Sequence, residues 1–525
     1  MRGGPFRHVL HFSPGHATMG RMAELGEETF DVVVIGGGPV GENAADRASR
    51  TGLSVVLVEA ELVGGECSYW ACMPSKTLLR PGAARAALRD VPGAGEPGPI
   101  DVAAVLAWRN KVTSDWDDGG QVEWLDGAGI ALVRGHARLA GERLVEVLPV
   151  GADGEDAEAG ADPAPRRLRA RCAVIVASGS VPVVPPIPGL AEALPWTSRE
   201  ATGADEIPES LVVVGGGVVG SEMATAYADL GSRVTLLARG GLLSNAEPFA
   251  GEAVAASLRE AGVDVRFGAS ARSVSRPDVG GPVTVTVALE EGSKDTVTAA
   301  EILVATGRVA RTADLGVEAL GLEPGRALEV DDAMAVVGVP PAATGDGGSE
   351  PWLYACGDVA GRVQTTHQGK YEGRVAGDVV AARFAPSGER RSVEPAAWSR
   401  FAATADHSAR TQVVFTRPQV AWVGPTESEA REAGIPVQAV SYDLSYVAGA
   451  TVTAEHYEGR AQVLVDTERN VLVGATFVGP EAGEMLHAAT IAVVGEVPLE
   501  RLWHAVPAYP TVSEVWLRFL ESYGL

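Results

Sequence analysis

Two cysteines stand close together in Gly64-Gly65-Glu66-Cys67-Ser68-Tyr69-Trp70-Ala71-Cys72-Met73-Pro74-Ser75-Lys76. The chain has only 4 Cys, so this C-x4-C pair is the first place to look for chemistry. Thiols at short spacing serve redox exchange or metal binding. A zinc site wants a second pair of ligands. Cys172 and Cys356 are isolated in the sequence and no His cluster lies near either, which favours redox chemistry. On an ideal helix, residues five apart have Cα atoms about 8–9 Å apart. A disulfide needs less than about 7 Å. If Cys67 and Cys72 pair, a helix carrying them must be distorted at its start, and Pro74 could help to end the irregular turn. A strained, reducible bond suits catalysis better than structure. The reactive form is the thiolate, which at neutral pH needs a positive or polarised neighbour. Lys76 is one candidate. Cys172 and Cys356 read as buried fillers.

Upstream of the pair, the β-branched run Phe30–Ile35 leads into Gly36-Gly37-Gly38-Pro39-Val40-Gly41 and then an Ala-rich helical stretch, Glu42–Arg50. This is G-x-G-x-x-G between strand and helix. Gly36 permits the tight turn, Gly38 lets a pyrophosphate approach the backbone, and Gly41 lets helix and strand pack closely. The phosphates would sit at the helix N-terminus. A second strand, Ser54–Val58, ends in Glu59, an acid placed to accept hydrogen bonds from a ribose diol. The pattern recurs: strand Leu211–Val214, then Gly215, Gly217 and Gly220, a helix from Ser221 to Leu230, and a strand Arg233–Leu237. There the acid is replaced by Ala238-Arg239. A carboxylate would repel a 2′-phosphate, whereas Arg would pair with it. NADPH is therefore expected in preference to NADH, the bland alternative being that Arg239 is a solvated loop residue. Two such turns in one chain suggest two different dinucleotides: FAD in the first unit and a nicotinamide in the second.

These residues resemble the pyridine nucleotide-disulfide oxidoreductases, the family of dihydrolipoamide dehydrogenase, glutathione reductase and mercuric reductase. The family pattern is G-G-x-C-x4-C-x-P-S-K, and the resemblance runs from about residue 29 to 520. Ala177-Ser178-Gly179 and Ala305-Thr306-Gly307-Arg308 resemble its two A-T-G-type turns. Tyr354-Ala355-Cys356-Gly357-Asp358 resembles its second FAD motif, in which the Asp contacts the flavin ribityl chain. Phe415-Thr416-Arg417-Pro418 with Val423-Gly424 resembles the opening of its dimerisation domain. The resemblance implies that Cys67 is the interchange thiol that meets the substrate and that Cys72 lies against the flavin as a charge-transfer thiolate. It implies a Lys76–Glu222 ion pair near the flavin. Electrons would pass from NAD(P)H to FAD, to a Cys67–Cys72 disulfide and on to an external acceptor.

One departure matters. The family completes its site from the second subunit with a His-Pro-x4-Glu segment. Here the stretch is Ala508-Tyr509-Pro510-Thr511-Val512-Ser513-Glu514, so Tyr509 stands at the His position and Glu514 is in place. A phenol titrates about 3.5 units above an imidazole, roughly 5 kcal/mol of proton affinity. Tyr can donate a hydrogen bond but is a poor base at neutral pH, so oxidation of an incoming dithiol is the activity most in doubt. His504 could take over as base, or be a partly buried structural histidine; Tyr509 could equally be an interface aromatic. Mercuric reductase also resembles this segment, but it typically carries a C-terminal Cys pair, and no Cys follows Cys356 here. Delivery of soft Hg(II) is then not expected. Val218 replaces an aromatic that gates the nicotinamide pocket in several relatives. Ala71 stands where a Gly is usual.

Around these residues the reading gives an α/β protein with two Rossmann-like domains and an α+β C-terminal dimerisation domain. The expected divisions are a disordered tail at 1–28, an FAD-binding domain at 29–185, a nicotinamide-binding domain at 186–308, a segment at 309–398 returning to the FAD domain, and a dimerisation domain at 399–525. That last domain would hold Asp443–His456 and strands at Ala461–Val465 and Val471–Val478. Tyr509 and Glu514 acting across the boundary imply a homodimer. Length, at 525 residues, allows three or four domains. The balance of 68 acidic against 43 basic residues, net −25, argues against nucleic acid and anionic membrane as partners. No apolar run of about 18 residues marks a membrane span. No 7–15-residue apolar core marks a secretory signal near the start; Met19 or Met22 could be the true first residue, and a transit peptide is the alternative. A cytoplasmic enzyme is expected. Val91–Pro99, Gly151–Pro165 and Val339–Pro351 read as surface loops. The acceptor would be a small disulfide or a quinone-like oxidant. The alternatives are a working dihydrolipoamide dehydrogenase of a 2-oxoacid dehydrogenase complex and a flavin-binding protein without turnover.

Overall fold

Apolar β-branched runs that end in glycine build the first sheet. The computed structural model describes residues 27–149, 165–290, 292–344, 347–386 and 393–525. The first unit runs β1 (Glu27–Ile35), α1 (Pro39–Ser49), β2 (Val55–Glu59), α2 (Gly65–Tyr69), α3 (Cys72–Arg89), α4 (Val102–Val112), α5 (Gly119–Gly127), β3 (Ala131–Arg134), β4 (His136–Gly141), β5 (Leu144–Leu148), β6 (Arg166–Val176) and β7 (Ser180–Pro182). The sheet order is β3-β2-β1-β6-β5-β4. Strands β1, β2, β3 and β6 are parallel, and β5 pairs antiparallel with the N-terminal half of β6. Strands covered on both faces read as unbroken apolar runs, and Val32–Val34, Val55–Leu57 and Ala173–Val176 are buried accordingly.

The second unit runs α6 (Ser198–Gly203), β8 (Ser210–Val214), α7 (Val218–Asp229), β9 (Arg233–Leu237), α8 (Pro248–Glu260), β10 (Asp264–Arg266), β11 (Ser270–Ser275), β12 (Val283–Ala288), β13 (Lys294–Ala299), β14 (Glu301–Val304) and β15 (Arg308–Ala310). Its parallel sheet has the order β10-β9-β8-β14, beside an antiparallel sheet β11-β12-β13. Strand β15 pairs antiparallel with β7, which ties the second unit back to the first. A short hairpin, β16 (Ala342–Ala343) with β17 (Ser349–Glu350), precedes β18 (Leu353–Ala355), and β18 joins the first sheet parallel to β6. Helix α9 (Thr366–Phe384) then packs along α1.

The last unit holds α10 (Ala405–Ser408), β19 (Thr411–Val414), β20 (Gln419–Val423), α11 (Glu427–Glu432), β21 (Val437–Asp443), α12 (Ala448–Thr453), β22 (Arg460–Asp466), β23 (Val471–Gly479), α13 (Ala482–Val494), α14 (Leu499–Leu502) and α15 (Val515–Tyr523). Its antiparallel sheet has the order β19-β20-β23-β22-β21. Helices α13 and α15 bury Leu486, Ala489 and Phe519 against it.

Several boundaries differ from the sequence reading. Helix α1 begins at Pro39 rather than Glu42, and α7 at Val218 rather than Ser221. The third glycine of each fingerprint lies inside the first helical turn, where Pro39 at the helix start is pre-organised for helical φ. Strand β1 begins at Glu27, not after residue 28, because Glu27 and Glu28 continue the parallel ladder with β6. The stretch Val339–Pro351 is not wholly loop, since it carries the β16–β17 hairpin. Residues 1–26 and 150–164, which include Met19, Met22 and most of the Gly151–Pro165 loop, lie outside the described residues. No helix of the described residues is long and apolar enough to cross a membrane.

Candidate active site

Each glycine turn is forced by close packing. Gly36 has φ +103°, a region open mainly to glycine, and a Cβ there would lie 2.3 Å from the Ala177 carbonyl oxygen. A Cβ on Gly41 would lie 1.9 Å from the Gly36 oxygen. Gly215 and Gly220 repeat this geometry, with φ +123° at Gly215 and a Cβ clash of 1.9 Å between Gly220 and the Gly215 oxygen. The C-terminal ends of β1, β2, β6 and β18 and those of β8, β9 and β14 all open on one cleft of about 2060 Å³. Ligands in parallel α/β sheets bind outside those strand ends. Gly36, Gly38, Glu59, Cys67, Cys72, Lys76, Gly179, Gly215, Gly217, Glu222, Arg239, Gly307 and Asp358 all line the cleft. Gly41 and Gly220 lie behind it as packing contacts.

The cysteines sit on either side of a break. Cys67 is within α2 and Cys72 is the first residue of α3. Between them Trp70 (φ −134°, ψ 0°) and Ala71 (φ −132°, ψ −96°) leave the helical region, the distortion that a Cys67–Cys72 bond requires. Both are free thiols in this structure. Cys72 Sγ lies 3.3 Å from Thr366 Oγ1, and Thr366 opens α9. The neighbouring Cys67 thiol, the Thr366 hydroxyl and the charge of Lys76 outweigh burial. Together they draw the Cys72 thiol down to about 6. The Cys67 thiol is pushed well above its ordinary range by the Cys72 sulfur and by burial. Cys72 is therefore the more readily ionised thiol of the pair.

Lys76, one turn along α3, points its Nζ at Glu222 Oε2, 2.8 Å away. Glu222 is only 4% exposed at its side chain, and its second oxygen accepts the Phe415 backbone N–H at 2.9 Å. The Lys76 ammonium also lies 5.0 Å from the Phe415 ring centroid, within cation–π range. Three units thus meet behind Cys72. The segment on either side of Cys67 is held from the second unit by Arg199, which pairs with both Glu61 and Glu66 and stacks 4.2 Å from the Trp70 ring.

The residues fit a dinucleotide at each turn. A Cβ at Gly179, Gly217 or Gly307 would meet nothing within 4 Å, so the backbone there is open to a ligand. Asp358 Oδ2 accepts the Ser180 hydroxyl at 2.5 Å, and Arg308 Nε donates to the Ser180 oxygen at 2.7 Å. Glu59 ends β2 with Oε2 accepting Gly37 N–H at 2.6 Å and Oε1 accepting Glu61 N–H at 2.7 Å. Each carboxylate oxygen keeps a second lone pair for a further donor. Burial raises the Glu59 pKa above the usual carboxylate range.

Other sequence candidates lie elsewhere. Tyr509 is 76% exposed and does not line the cleft. Glu514 is buried, paired with Arg518 and accepting the Ala448 N–H at 3.2 Å. His504 is exposed rather than partly buried, in the turn that follows α14. Cys356 is buried, whereas Cys172 is half-buried on β6. Sequence reasoning missed Thr366, Phe415, Ser180 and Arg199. Only Phe415 carried a local signal, in the Phe-Thr-Arg-Pro stretch; the others are distant in sequence from the atoms they touch.

The family model for the pyridine nucleotide-disulphide oxidoreductases matches residues 30–373, and that for their dimerisation domain matches residues 411–518. The chain is 32% identical over 500 residues to dihydrolipoyl dehydrogenase of Halobacterium salinarum, covering 94% of this chain and 95% of that one. It is 29% identical to mercuric reductase of Lysinibacillus sphaericus, covering 95% of this chain and 83% of that one. Among solved structures, the flavoprotein disulfide reductase RclA of Escherichia coli superposes with a TM-score of 0.73 at 23% identity, covering 94% and 99% of the two chains. LpdA of Mycobacterium tuberculosis superposes at 0.74 and 24% identity, covering 95% and 100%. At that identity the structural likenesses speak for the fold alone.

Proposed function

This chain belongs to the pyridine nucleotide-disulphide oxidoreductase family, and from that premise we propose that it is an NAD(P)H-dependent reductase of a small disulfide or quinone-like acceptor. It is an enzyme of the disulfide oxidoreductase class, and members of the family use FAD and NAD(P)H. The observation that carries the proposal is the placement of Cys67, Cys72, Thr366 and the Lys76–Glu222 pair in one cleft with both glycine turns. The first glycine turn, Glu59 and Asp358 would hold FAD; the second turn and Gly307 would hold the nicotinamide dinucleotide. FAD, when bound, supplies a two-electron carrier between a nicotinamide and the dithiol.

The chain's own groups do the rest. Cys67 passes its proton to the neighbouring Cys72 thiolate and attacks one sulfur of an acceptor disulfide, forming a mixed disulfide and releasing one thiolate. That thiolate takes the proton back from Cys72 and leaves as a thiol. The Cys72 thiolate then attacks Cys67, the Cys67–Cys72 bond forms, and the second acceptor thiolate departs. One acceptor disulfide is reduced and one dithiol oxidised. Lys76 and Thr366 keep Cys72 ionised, and Glu222 holds Lys76 in place. Tyr509 and Glu514 act from the partner subunit of a homodimer, Tyr509 as a donor to departing thiolates. The dimerisation domain supports the dimer. Arg239 at the end of β9 supports NADPH over NADH, and a cytoplasmic setting suits free thiols.

A second reading is dihydrolipoamide dehydrogenase, favoured by the 32% identity to a dihydrolipoyl dehydrogenase over 94% of the chain. Tyr509 at the base position counts against it. A flavin binder without turnover is disfavoured by the assembled Cys67, Cys72 and Lys76. The test is steady-state reduction of lipoamide, a small aromatic disulfide and a benzoquinone by NADPH and NADH. Cys67→Ser and Cys72→Ser should abolish disulfide reduction; full activity of both variants on every acceptor would refute the proposal.

A further inference from the structure

Closure of the Cys67–Cys72 bond leaves the second acceptor sulfur as a thiolate. A phenol titrates at about 10 and a thiol at about 8.5, so Tyr509 can donate a hydrogen bond to that sulfur but gives up its proton only uphill. The chain holds a stronger acid. Helices α1 and α9 start at the same end and are pressed together: a Cβ on Gly373 would lie 2.6 Å from the Val40 carbonyl oxygen, and one on Gly377 would lie 2.6 Å from that of Ala44. This crossing sets Glu42, in the first turn of α1, level with Lys370, near the start of α9. Lys370 follows Thr366 by one turn and so shares its face of the helix. Thr366 touches Cys72 Sγ, and Thr366, Lys370 and Val40 line the cleft with Cys67.

Neither group is taken up by the fold. Among the described residues the Glu42 carboxyl has no hydrogen bond or ion pair, and its Oε1 is buried without a partner. Lys370 forms no ion pair there either, although its charge acts on Glu42. The other ionisable groups that face Glu42 are Glu59 at the end of β2 and Tyr69 at the end of α2. Both Glu59 oxygens accept backbone N–H groups, and the Tyr69 hydroxyl donates to the Val63 carbonyl at 3.0 Å. Asp46, one turn on in α1, is paired with Arg50. A carboxylate in a first helical turn is ordinarily favoured by the helix dipole. Here burial without a donor outweighs the dipole and the Lys370 charge, and the Glu42 carboxyl is pushed up to about 7. That is still about 1.5 units below an ordinary thiol, so passing a proton to a thiolate runs downhill.

We propose that Glu42 is the acid that protonates the second acceptor sulfur, and that Lys370 holds this sulfur anion while the proton is passed. Attack by Cys72 breaks the bond between Cys67 and the acceptor and leaves the electron pair on the acceptor sulfur. The Lys370 ammonium pairs with that thiolate. The Glu42 carboxyl gives it a proton, the thiol departs, and the Glu42 carboxylate stays beside Lys370 until solvent returns the proton. No electron moves in this step, and Tyr509 adds a hydrogen bond. The proposal rests on the reading of the chain as a disulfide reductase.

The test is stopped-flow reoxidation of the FAD-loaded, two-electron-reduced enzyme by two acceptors of different leaving group. 2-Hydroxyethyl disulfide releases a basic alkyl thiolate, whereas 4,4′-dithiodipyridine releases a weakly basic one that leaves without a proton. General acid catalysis is worth about 10²–10⁴-fold. At about pH 6, Glu42→Gln should therefore slow the alkyl disulfide at least tenfold and the pyridyl disulfide less than threefold. The gap for the alkyl disulfide should close as pH rises through about 7, where Glu42 of the parent ionises. Lys370→Met removes the charge that holds Glu42 down. It should slow the alkyl disulfide at least threefold and move the falling limb of its pH profile upward. Equal slowing of both acceptors by Glu42→Gln would make Glu42 a structural residue and overturn the proposal. Parent-like rates for Glu42→Gln, or for Lys370→Met, on both acceptors at every pH would overturn it too. A parent reoxidised by neither acceptor would instead overturn the disulfide reductase reading itself.

Discussion

Replacing Thr366 by Val removes one hydroxyl while keeping shape. Its Oγ1 is 3.3 Å from Cys72 Sγ, and Thr366 lies nearly 300 residues away in the chain from the cysteine it touches. A hydrogen bond to a charged group is worth about 1.5–3 kcal/mol. At this length the low end applies, about 1.5 kcal/mol, or about 1 pH unit at ~1.36 kcal/mol per unit. The Cys72 midpoint, about 6 in the parent, should rise to about 7, which lowers the thiolate fraction at pH 7 from about nine-tenths to about one-half. The assay is the pH dependence of iodoacetamide alkylation at Cys72 in the reduced enzyme, read peptide by peptide by mass spectrometry. Thr366→Ser keeps the hydroxyl and should track the parent. A Val variant whose midpoint stays within about 0.3 units of the parent would show that Thr366 does not hold the thiolate, and the electrostatic account of Cys72 would be wrong.

Three other outcomes follow from the same geometry. Tyr509→His should raise oxidation of dihydrolipoamide at least tenfold, whereas Tyr509→Phe should leave it low; no gain with His would mean that position 509 does not face the thiol. Glu372 is fully buried, accepts the Gly357 N–H at 2.6 Å, and has its carboxyl pushed up to about 8 chiefly by burial. Its raised folded value means it favours folding below the unfolded carboxyl range near pH 4.5, and that contribution is lost as pH rises toward 8. Glu372→Gln should therefore raise Tm relative to the parent at pH 8 and not at pH 4, measured by differential scanning calorimetry; equal offsets at both pH values would contradict it. Lys76→Met strands the buried Glu222 carboxylate. It should cost stability, by less than the 3–5 kcal/mol of a fully buried pair because Lys76 is a third exposed, and it should raise the Cys72 midpoint in the same alkylation assay.

Much of the fold was legible because parallel strands buried on both faces must be unbroken apolar runs. The Val32–Ile35, Val55–Val58 and Leu211–Val214 runs could be read directly, and the first and third glycine of each fingerprint are imposed by close backbone packing. The helix starts were misplaced because the third glycine of each turn already belongs to the helix. The cysteine pair announced a distorted helix, and the break at Trp70 and Ala71 supplies it. The Lys76–Glu222 pair behind Cys72 was expected from the family resemblance, but the other groups about the cysteines were not legible. Thr366 opens a helix far along the chain, and Phe415 and Arg199 arrive from other units, so only the tertiary fold brings them in. Tyr509 shows the converse: its type is plain in the sequence, yet in a single chain it stands exposed, away from the cleft.

The disulfide mechanism turns on where electrons rest after two-electron reduction. Anaerobic titration of the purified enzyme with NADPH, then NADH, while absorbance is followed at ~500–600 nm, reports the environment of the Cys72 thiolate. A long-wavelength band reaching its maximum at two electrons, earlier with NADPH and missing in Cys72→Ser, is the predicted result. Direct bleaching of the flavin with no such band would place the cysteines outside the electron path and contradict the disulfide mechanism.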